Sequence, residues 1–239
     1  MNRTTIRFTI YINLLTLVMI SSYCGSCKDS ATTAYVSKDI PVDTAESKIV
    51  TEDIVIDYDT LSWKEINEDS GILLDIRYAT DNNFTKKRIY DCARCFLRPE
   101  LADKILSLQK DIQDRYNIGL KLYDCYRPRP AQQLLWDIVP DARYVTPPSK
   151  GSMHNRGLAV DLTLVDADGA ELDMGTPYDY FGERAYITYT DLSAEILKNR
   201  QTLRKLMEIH GLRGIRTEWW HFSLKPAKSA LDDWVWECK

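Results

Sequence analysis

Apolar residues at helical spacing predict two amphipathic helices in this chain. The first helix begins at Pro99, a residue favoured in a first helical turn, and ends near Gly119. Its apolar positions recur every three or four residues, at Leu101, Ile105, Leu108 and Ile112. The second helix runs from Leu192 to His210, where Gly211 ends it. The apolar stripe of the first helix is expected to pack on a sheet.

Alternating apolar and polar positions predict strands. They cover residues 73–78, 120–125, 157–165 and 218–224. In the third strand, leucines alternate with Asp161 and Thr163 as in a half-buried strand, so Asp161 is expected to face away from the leucines. Asp168-Gly169 predicts a hairpin turn. Strands and helices that intermingle in this way favour a single α+β domain, with a mainly antiparallel sheet flanked by helices.

A proline-rich turn follows the strand at 120–125. It reads Tyr126-Arg127-Pro128-Arg129-Pro130, and each proline lacks an N–H and biases the preceding residue toward extended backbone. The pattern predicts a stiff turn that holds both arginines, before a short helix from Ala131 to about Asp137. Arg129 is expected to face the solvent.

The N-terminal residues are predicted to lie outside the folded domain. An apolar run from Phe8 to Ile20 follows basic residues; it is too short for a comfortable membrane span and suits a signal peptide. We assign residues 1–27 to this signal, polar residues 28–60 to a flexible tether and residues 61–239 to the domain. The protein is therefore expected to be exported.

Two early cysteines raise the question of lipid attachment. Small residues precede Cys27, whereas bulky Tyr23 precedes Cys24, so Cys27 is the favoured lipidation site of a lipoprotein. An ordinary cleaved signal peptide is the alternative. We expect a periplasmic protein or a membrane-anchored lipoprotein, which would contact a membrane only through that N-terminal anchor.

Composition and charge restrict the partners. A hydrophobic content of 44% is typical of a globular domain that can bury a core. The net charge of -4 argues against nucleic acid as a partner, because phosphate binding requires a basic surface.

Four cysteines lie in the predicted domain: Cys92, Cys95, Cys125 and Cys238. In an oxidising compartment they permit one or two disulfides, and three pairings are open if both form. The Cys92-x-x-Cys95 spacing alone also fits a metal knuckle or a redox pair, which we consider the weaker interpretations.

Two histidines and an aspartate have the chemistry of a catalytic zinc site: His154, Asp161 and His221. Three protein ligands leave the fourth position of the ion open, as hydrolysis requires. In one extended strand His154 and Asp161 would lie about 23 Å apart at about 3.3 Å per residue, so His154 must sit in a loop that turns back. Gly151 and Gly157 supply the backbone freedom for that loop. The third histidine, His210, is interpreted as a structural residue at a helix end.

Glu218 and Arg127 are the candidate catalytic side chains. Glu218 suits a general base beside a metal, although a regular strand would point it away from His221, so a bulge or strand end is required. Arg127 could stabilise the oxyanion that forms when a carbonyl is attacked. The simpler alternatives are a surface glutamate on an edge strand and a surface salt bridge beside a turn.

Several motifs resemble those of the zinc D-alanyl-D-alanine dipeptidases of the VanX type, within the wider zinc D,D-peptidase group. They are Ser152-x-His154-x-x-Gly157-x-Ala159-x-Asp161, Glu218-Trp219-Trp220-His221, Asp124-x-Tyr126-Arg127-Pro128, Asp75-Ile76-Arg77-Tyr78-Ala79-Thr80, Asn83-Phe84-Thr85 and Met174-Gly175-Thr176-Pro177-Tyr178-Asp179. The resemblance covers most of the domain, and Trp219 after Glu218 is similar to the dipeptidases rather than to their carboxypeptidase relatives, which usually have proline there.

The resemblance implies a zinc metallopeptidase that cleaves D-Ala-D-Ala into two D-alanines by metal-activated water, linked to peptidoglycan turnover. It implies one Zn²⁺ held by His154, Asp161 and His221, with Glu218 as general base and Arg127 as the transition-state stabiliser. It further implies Ser152 for the substrate carboxylate, Asp179 for its ammonium group and Tyr78 beside the dipeptide.

Two other functions are weighed against the dipeptidase. A D,D- or L,D-carboxypeptidase that trims muropeptides would need a pocket open to a longer chain. A noncatalytic zinc module that recognises peptidoglycan would need neither Glu218 nor Arg127.

Overall fold

The computed structural model describes residues 61–224 and 230–238. The predicted signal peptide (1–27), both candidate lipidation cysteines and the predicted tether (28–60) lie outside the described residues. Within the described part of the chain, no helix has both the length and the apolar character needed to cross a membrane.

Seven strands and three α-helices make up the described fold. The strands are β1 (Lys64–Ile66), β2 (Leu73–Leu74), β3 (Cys95–Leu97), β4 (Gly119–Asp124), β5 (Ala159–Val165), β6 (Arg213–Ile215) and β7 (Glu218–Ser223). The helices are α1 (Pro99–Tyr116), α2 (Arg129–Ile138) and α3 (Ala194–Ile209). Short 3-10 turns connect several of them.

The main sheet has five strands in the order β2-β4-β5-β7-β6. Only β2 pairs in parallel, with β4; every other pair in this sheet is antiparallel. β1 and β3 form a separate antiparallel pair. The α+β fold with a mainly antiparallel sheet is therefore confirmed.

The central strand β5 is more deeply buried than its sequence pattern indicates. All seven of its residues are buried, whereas alternation with Asp161 and Thr163 predicted a half-buried strand. The prediction was wrong because the polar side chains of β5 are covered as well: Asp161 contacts Tyr178 and two histidines, and Thr163 is 1% exposed. α1 packs the predicted apolar stripe into the core, and Ile105, Leu108 and Ile112 are fully buried.

Two element boundaries also differ from prediction. The strand expected at 73–78 ends after Leu74, because a 3-10 turn at Arg77–Ala79 carries the ring of Tyr78 into the interior. The turn expected around Arg129 is the first turn of α2, where Pro130 is tolerated because first-turn N–H groups need no helical partner. Arg129 forms an exposed ion pair with Asp233, in agreement with its predicted exposure.

Two disulfides select one of the three open pairings, Cys92–Cys238 and Cys95–Cys125. Cys92 and Cys95 thus belong to different bridges, which excludes both the metal knuckle and a redox pair between them. The Cys95–Cys125 bridge joins β3 to the residue that follows β4, next to the turn with Arg127.

Candidate metal centre and active site

The three predicted metal ligands converge on one buried point. Asp161 and His221 are directly opposite each other on the paired strands β5 and β7. His154 lies in a 3-10 turn, which ends at Gly157 in the left-handed conformation (φ 70°) and leads back into β5. A Cβ atom at Gly157 would lie 2.3 Å from the Trp63 ring, so a glycine is required here. The predicted loop that turns back is confirmed.

The donor atoms of these residues have the spacing of a zinc site. His154 Nε2 lies 3.0 Å from His221 Nδ1 and 3.3 Å from Asp161 Oδ1, and His221 Nδ1 lies 3.0 Å from the same oxygen. Ligands about 2.0–2.1 Å from a tetrahedral ion are about 3.3 Å apart. Two imidazoles and one carboxylate are also the donor set of many catalytic zinc sites. The buried triangle therefore fits a metal site.

Opposing charges hold this triangle together. Burial raises the pKa of Asp161, but His154 and His221 outweigh it and lower that pKa far below its ordinary value. Burial likewise lowers the pKa of His154, whereas the Asp161 carboxylate raises it above its ordinary value overall. Asp161 is consequently ionised, as a ligand must be.

A hydrogen bond on the side of the ring away from the triangle orients His154. Its Nδ1 donates to the carbonyl oxygen of Cys125 at 2.8 Å. A carbonyl can only accept, so Nδ1 carries a proton, and in the neutral ring that metal binding requires the Nε2 lone pair points toward the triangle.

Glu218 begins β7 beside an irregularity in the sheet. The β6–β7 register shifts between Gly214 and Ile215, and Ile215 pairs with Glu218. This strand-end irregularity is what the Glu-x-x-His spacing required, and it brings Glu218 into the same cavity as His221. Burial raises the pKa of Glu218 to about 7, against the lowering effect of His221.

Arg127 is clamped by a buried carboxylate. Its Nε and Nη2 donate to Asp124 Oδ2 at 3.0 and 2.6 Å, and its Nη1 donates to Gln132 at 3.1 Å. Burial acts to lower the pKa of Arg127, but the charge of Asp124 raises it well above its ordinary value. The salt bridge expected from the simpler interpretation exists, but it is buried and lies in the site rather than on the surface.

Asp179 and Tyr78 form a pair across the cavity wall. The Tyr78 hydroxyl donates to Asp179 Oδ2 at 3.0 Å, and Asp179 has a positive φ of 59°. Burial and then the charge of Asp161 raise the pKa of Asp179 well above its ordinary value. A carboxylate in this setting favours the arrival of a cation.

Ser152 lies at the same cavity, with its hydroxyl already engaged. Its Oγ donates to Asn155 Oδ1 at 3.1 Å, and its main-chain N–H donates to the same oxygen at 2.7 Å. A substrate carboxylate would have to compete for that hydroxyl proton.

Sequence reasoning missed two residues of the site. The Tyr178 hydroxyl donates to Asp161 Oδ2 at 3.0 Å, so it holds the oxygen that faces away from the histidines. Asp124, fully buried, orients Arg127 and also accepts from the Tyr90 hydroxyl at 2.8 Å. Both lie within the quoted motifs, and a polar residue in an apolar strand was the available signal for Asp124.

All eight predicted site residues line one cavity of about 640 Å³. They are Tyr78, Arg127, Ser152, His154, Asp161, Asp179, Glu218 and His221. A second cavity of about 640 Å³ is lined by α3 and the β6–β7 pair and shares none of these residues. His210 belongs to neither; its Nδ1 lies 2.9 Å from the Leu206 carbonyl at the end of α3, as expected of a structural histidine.

Comparison with known proteins places this site in a family. A D-alanyl-D-alanine dipeptidase of Escherichia coli (strain K12) is 42% identical over 158 residues, which cover 65% of this chain and 80% of the relative. One from Enterococcus faecium is 34% identical over 176 residues, with 65% and 87% covered. A zinc complex of the vancomycin-resistance D,D-pentapeptidase VanY aligns at 15% identity and a TM-score of 0.37, over 54% of this chain and 73% of that protein.

The family model of peptidase M15, described as D-ala-D-ala dipeptidase, matches residues 59–237. That match spans the described domain, with its buried His/Asp/His triangle. The chain therefore belongs to the peptidase M15 family of D-ala-D-ala dipeptidases.

Proposed function

We propose that this peptidase hydrolyses the free dipeptide D-Ala-D-Ala to two D-alanines. The two relatives described above carry the name of this activity. The arrangement of the cavity supports it independently, because groups suited to both charged ends of a dipeptide lie beside a metal-binding triangle.

His154, Asp161 and His221 would hold one zinc ion per chain. Bound there, the ion supplies Lewis-acid chemistry, polarising a carbonyl and lowering the pKa of a water. The chain contributes three ligands in this proposal, and the remaining groups of the cavity act on the substrate.

Glu218 moves the proton. Its carboxylate would accept a proton from the attacking water and pass it to the nitrogen of the leaving D-alanine. A pKa raised to about 7 suits a group that must both accept and release a proton near neutral pH.

Arg127 would stabilise the negative charge that develops on the attacked carbonyl oxygen. Three of its five N–H groups are taken by Asp124 and Gln132, so two remain for the substrate. Because Asp124 fixes the guanidinium in advance, little reorganisation is needed when the charge appears.

The two ends of the substrate would be recognised by charge. Asp179, oriented by Tyr78, would receive the ammonium group, and Ser152 would bind the carboxylate. An N-acylated dipeptide has no ammonium group, and a longer peptide carries its ammonium further from the scissile bond. Either one would place a neutral amide beside Asp179 and leave that carboxylate without a cationic partner, which disfavours it.

The single observation that carries this proposal is the presence of Asp179 and the metal triangle in one cavity. The test measures D-alanine release by the zinc-loaded protein from D-Ala-D-Ala, from its N-acetyl form and from a pentapeptide that ends in D-Ala-D-Ala. We expect kcat/KM to be at least about a hundredfold higher for the free dipeptide, the cost of one unpaired buried charge. A preference for the pentapeptide would instead establish the carboxypeptidase alternative.

We also propose that the protein is exported, as a periplasmic enzyme or a lipoprotein anchored through Cys27, and uses dipeptide released during peptidoglycan turnover. The apolar run from Phe8 to Ile20 supports export. The two disulfides support it as well, since such bridges persist in oxidising compartments. Mass spectrometry of the mature N-terminus from a membrane fraction tests the anchor.

A further inference from the structure

The segment 173–186 carries two groups of the site on an irregular backbone. Tyr178 contacts Asp161, and Asp179 accepts from Tyr78. A 3-10 turn at Glu183–Ala185 is the only regular element that the structure assigns between β5 and α3. The position of Asp179 must therefore be set by contacts from outside the segment.

Side chains of the main sheet and of the Arg77–Ala79 turn hold the first half of this segment. The Trp219 indole N–H donates to the Thr176 hydroxyl at 2.8 Å, in addition to the two tyrosine contacts. These contacts fix single points near residues 176–179 and leave the later part of the segment to be held elsewhere.

Arg200 of α3 joins both ends of the segment. Its Nε donates to the Met174 carbonyl at 2.7 Å, its Nη2 to the Arg184 carbonyl at 2.8 Å and its Nη1 to the Tyr186 carbonyl at 3.3 Å. One planar guanidinium therefore closes the loop whose tip carries Asp179. A guanidinium is suited to this because its donors form a rigid fork.

The contact is buried and is not part of the catalytic cavity. Arg200 is 8% exposed and lines the second cavity, on the α3 side. Burial, with the like charge of Arg184, lowers the pKa of Arg200 below its ordinary value. Burying a cation against neutral carbonyls costs free energy, so a hydrophobic residue would be more stable here if packing were its only role. The presence of an arginine indicates that its hydrogen bonds to the segment matter.

Neighbouring contacts on α3 support the same segment. Asn199 Nδ2 donates to the Asp173 carbonyl at 2.9 Å. Gly175 has a positive φ of 78°, and a Cβ there would lie 2.9 Å from Ile196 Cγ2, so the segment approaches the helix closely.

We propose that Arg200 is a positioning residue for substrate selectivity: by closing the segment 174–186 it holds Asp179 where the ammonium group of the dipeptide binds. This inference rests on the proposed function, because it takes Asp179 as the ammonium partner. Arg200 itself touches neither the substrate nor the metal ligands.

The test compares Arg200→Ala with Arg204→Ala in the zinc-loaded protein. Arg204 lies one turn further along α3, lines the same cavity and forms an exposed ion pair with Glu208, so it is a matched control. KM and kcat are measured for D-Ala-D-Ala, and kcat/KM for N-acetyl-D-Ala-D-Ala at high enzyme concentration. Zinc content is determined for each variant.

Arg200→Ala should raise KM for the free dipeptide about tenfold or more, the effect of losing hydrogen bonds to a charged group. Its kcat should change less, its zinc content should stay at the wild-type level, and kcat/KM for the N-acetyl substrate should be nearly unchanged. Millimolar guanidinium ion, which can enter the vacated cavity, should restore the lower KM. Arg204→Ala should resemble the wild type.

Equal losses on the free and N-acetylated dipeptides would overturn this inference, since they indicate a general structural role. So would a rescue by guanidinium that restores kcat but not KM. If Arg200→Ala does not fold, Arg200→Lys provides the same comparison, because it keeps the charge and loses the fork. A wild-type protein that fails to hydrolyse D-Ala-D-Ala would contradict the proposed function itself, which separates the two failures.

Discussion

His154 Nε2 lies 3.0 Å from His221 Nδ1, although 67 residues separate the two histidines along the chain. Two buried ring nitrogens this close cannot both carry a proton on the sides that face each other, because the two N–H groups would clash. With a cation bound between them, both nitrogens would offer it a lone pair. The Asp161 carboxylate contacts both rings and supplies the negative charge that such a cation needs.

Removal of the metal should therefore abolish activity without unfolding the domain. We expect a chelator to reduce D-Ala-D-Ala hydrolysis to background and zinc to restore it, while the two disulfides and the core maintain the fold. His154→Ala should lose zinc as well, as measured by metal analysis of the purified protein. His210→Ala is the matched control and should keep both zinc and activity.

Glu218→Gln should retain zinc yet lower kcat by about 10²–10⁴-fold, the usual contribution of general acid–base catalysis. The amide matches the carboxylate in shape but cannot accept the proton from water. Metal content and kcat are measured on the same preparation. Glu208→Gln, an exposed change on α3, serves as control, and a fully active Glu218→Gln enzyme would eliminate the proposed mechanism.

The KM for the free dipeptide should depend on pH through Asp179, whose pKa is raised by burial. Below that pKa the carboxyl group is neutral and cannot pair with the ammonium, so KM should fall as pH rises through it. The trend should reverse when the substrate amine loses its proton, near pH about 8. Asp179→Asn should raise KM and flatten the acidic limb, which kinetics at several pH values will measure.

Asp124→Asn should cost about 3–5 kcal/mol of unfolding free energy, because it leaves Arg127 charged and buried without its partner. Denaturant unfolding measures this loss, and kcat should fall with it as Arg127 loses its orientation. Asp103→Asn breaks an exposed ion pair with Lys64 and should cost under about 1 kcal/mol. Equal losses in the two variants would contradict the role assigned to Asp124.

The sequence predicted the long elements better than the short ones. α1, β4 and β5 have enough periods of apolar residues for the pattern to be read. β1, β3 and β6 have three residues each, which is less than two periods of alternation, and they exist because a partner strand supplies their hydrogen bonds.

The candidate site was predictable where residue chemistry is distinctive. His154, Asp161, His221, Glu218 and Arg127 all line one cavity, as the resemblance implied. The direct pairing of Asp161 with His221 depends on strand order, which no local pattern contains. The contact between Tyr178 and Asp161 and the cysteine pairing are tertiary for the same reason.

The Cys95–Cys125 bridge lies directly behind a metal ligand. The carbonyl that orients His154 belongs to Cys125, and the bridge is one of the contacts that hold this residue, beside the hydrogen bond from the Tyr126 N–H to the Phe96 carbonyl. We therefore expect the oxidised protein to bind zinc more tightly than the reduced protein. A protein made in a reducing compartment would then hold its metal more weakly until an oxidant closes the bridge, and zinc titration of both forms measures that difference.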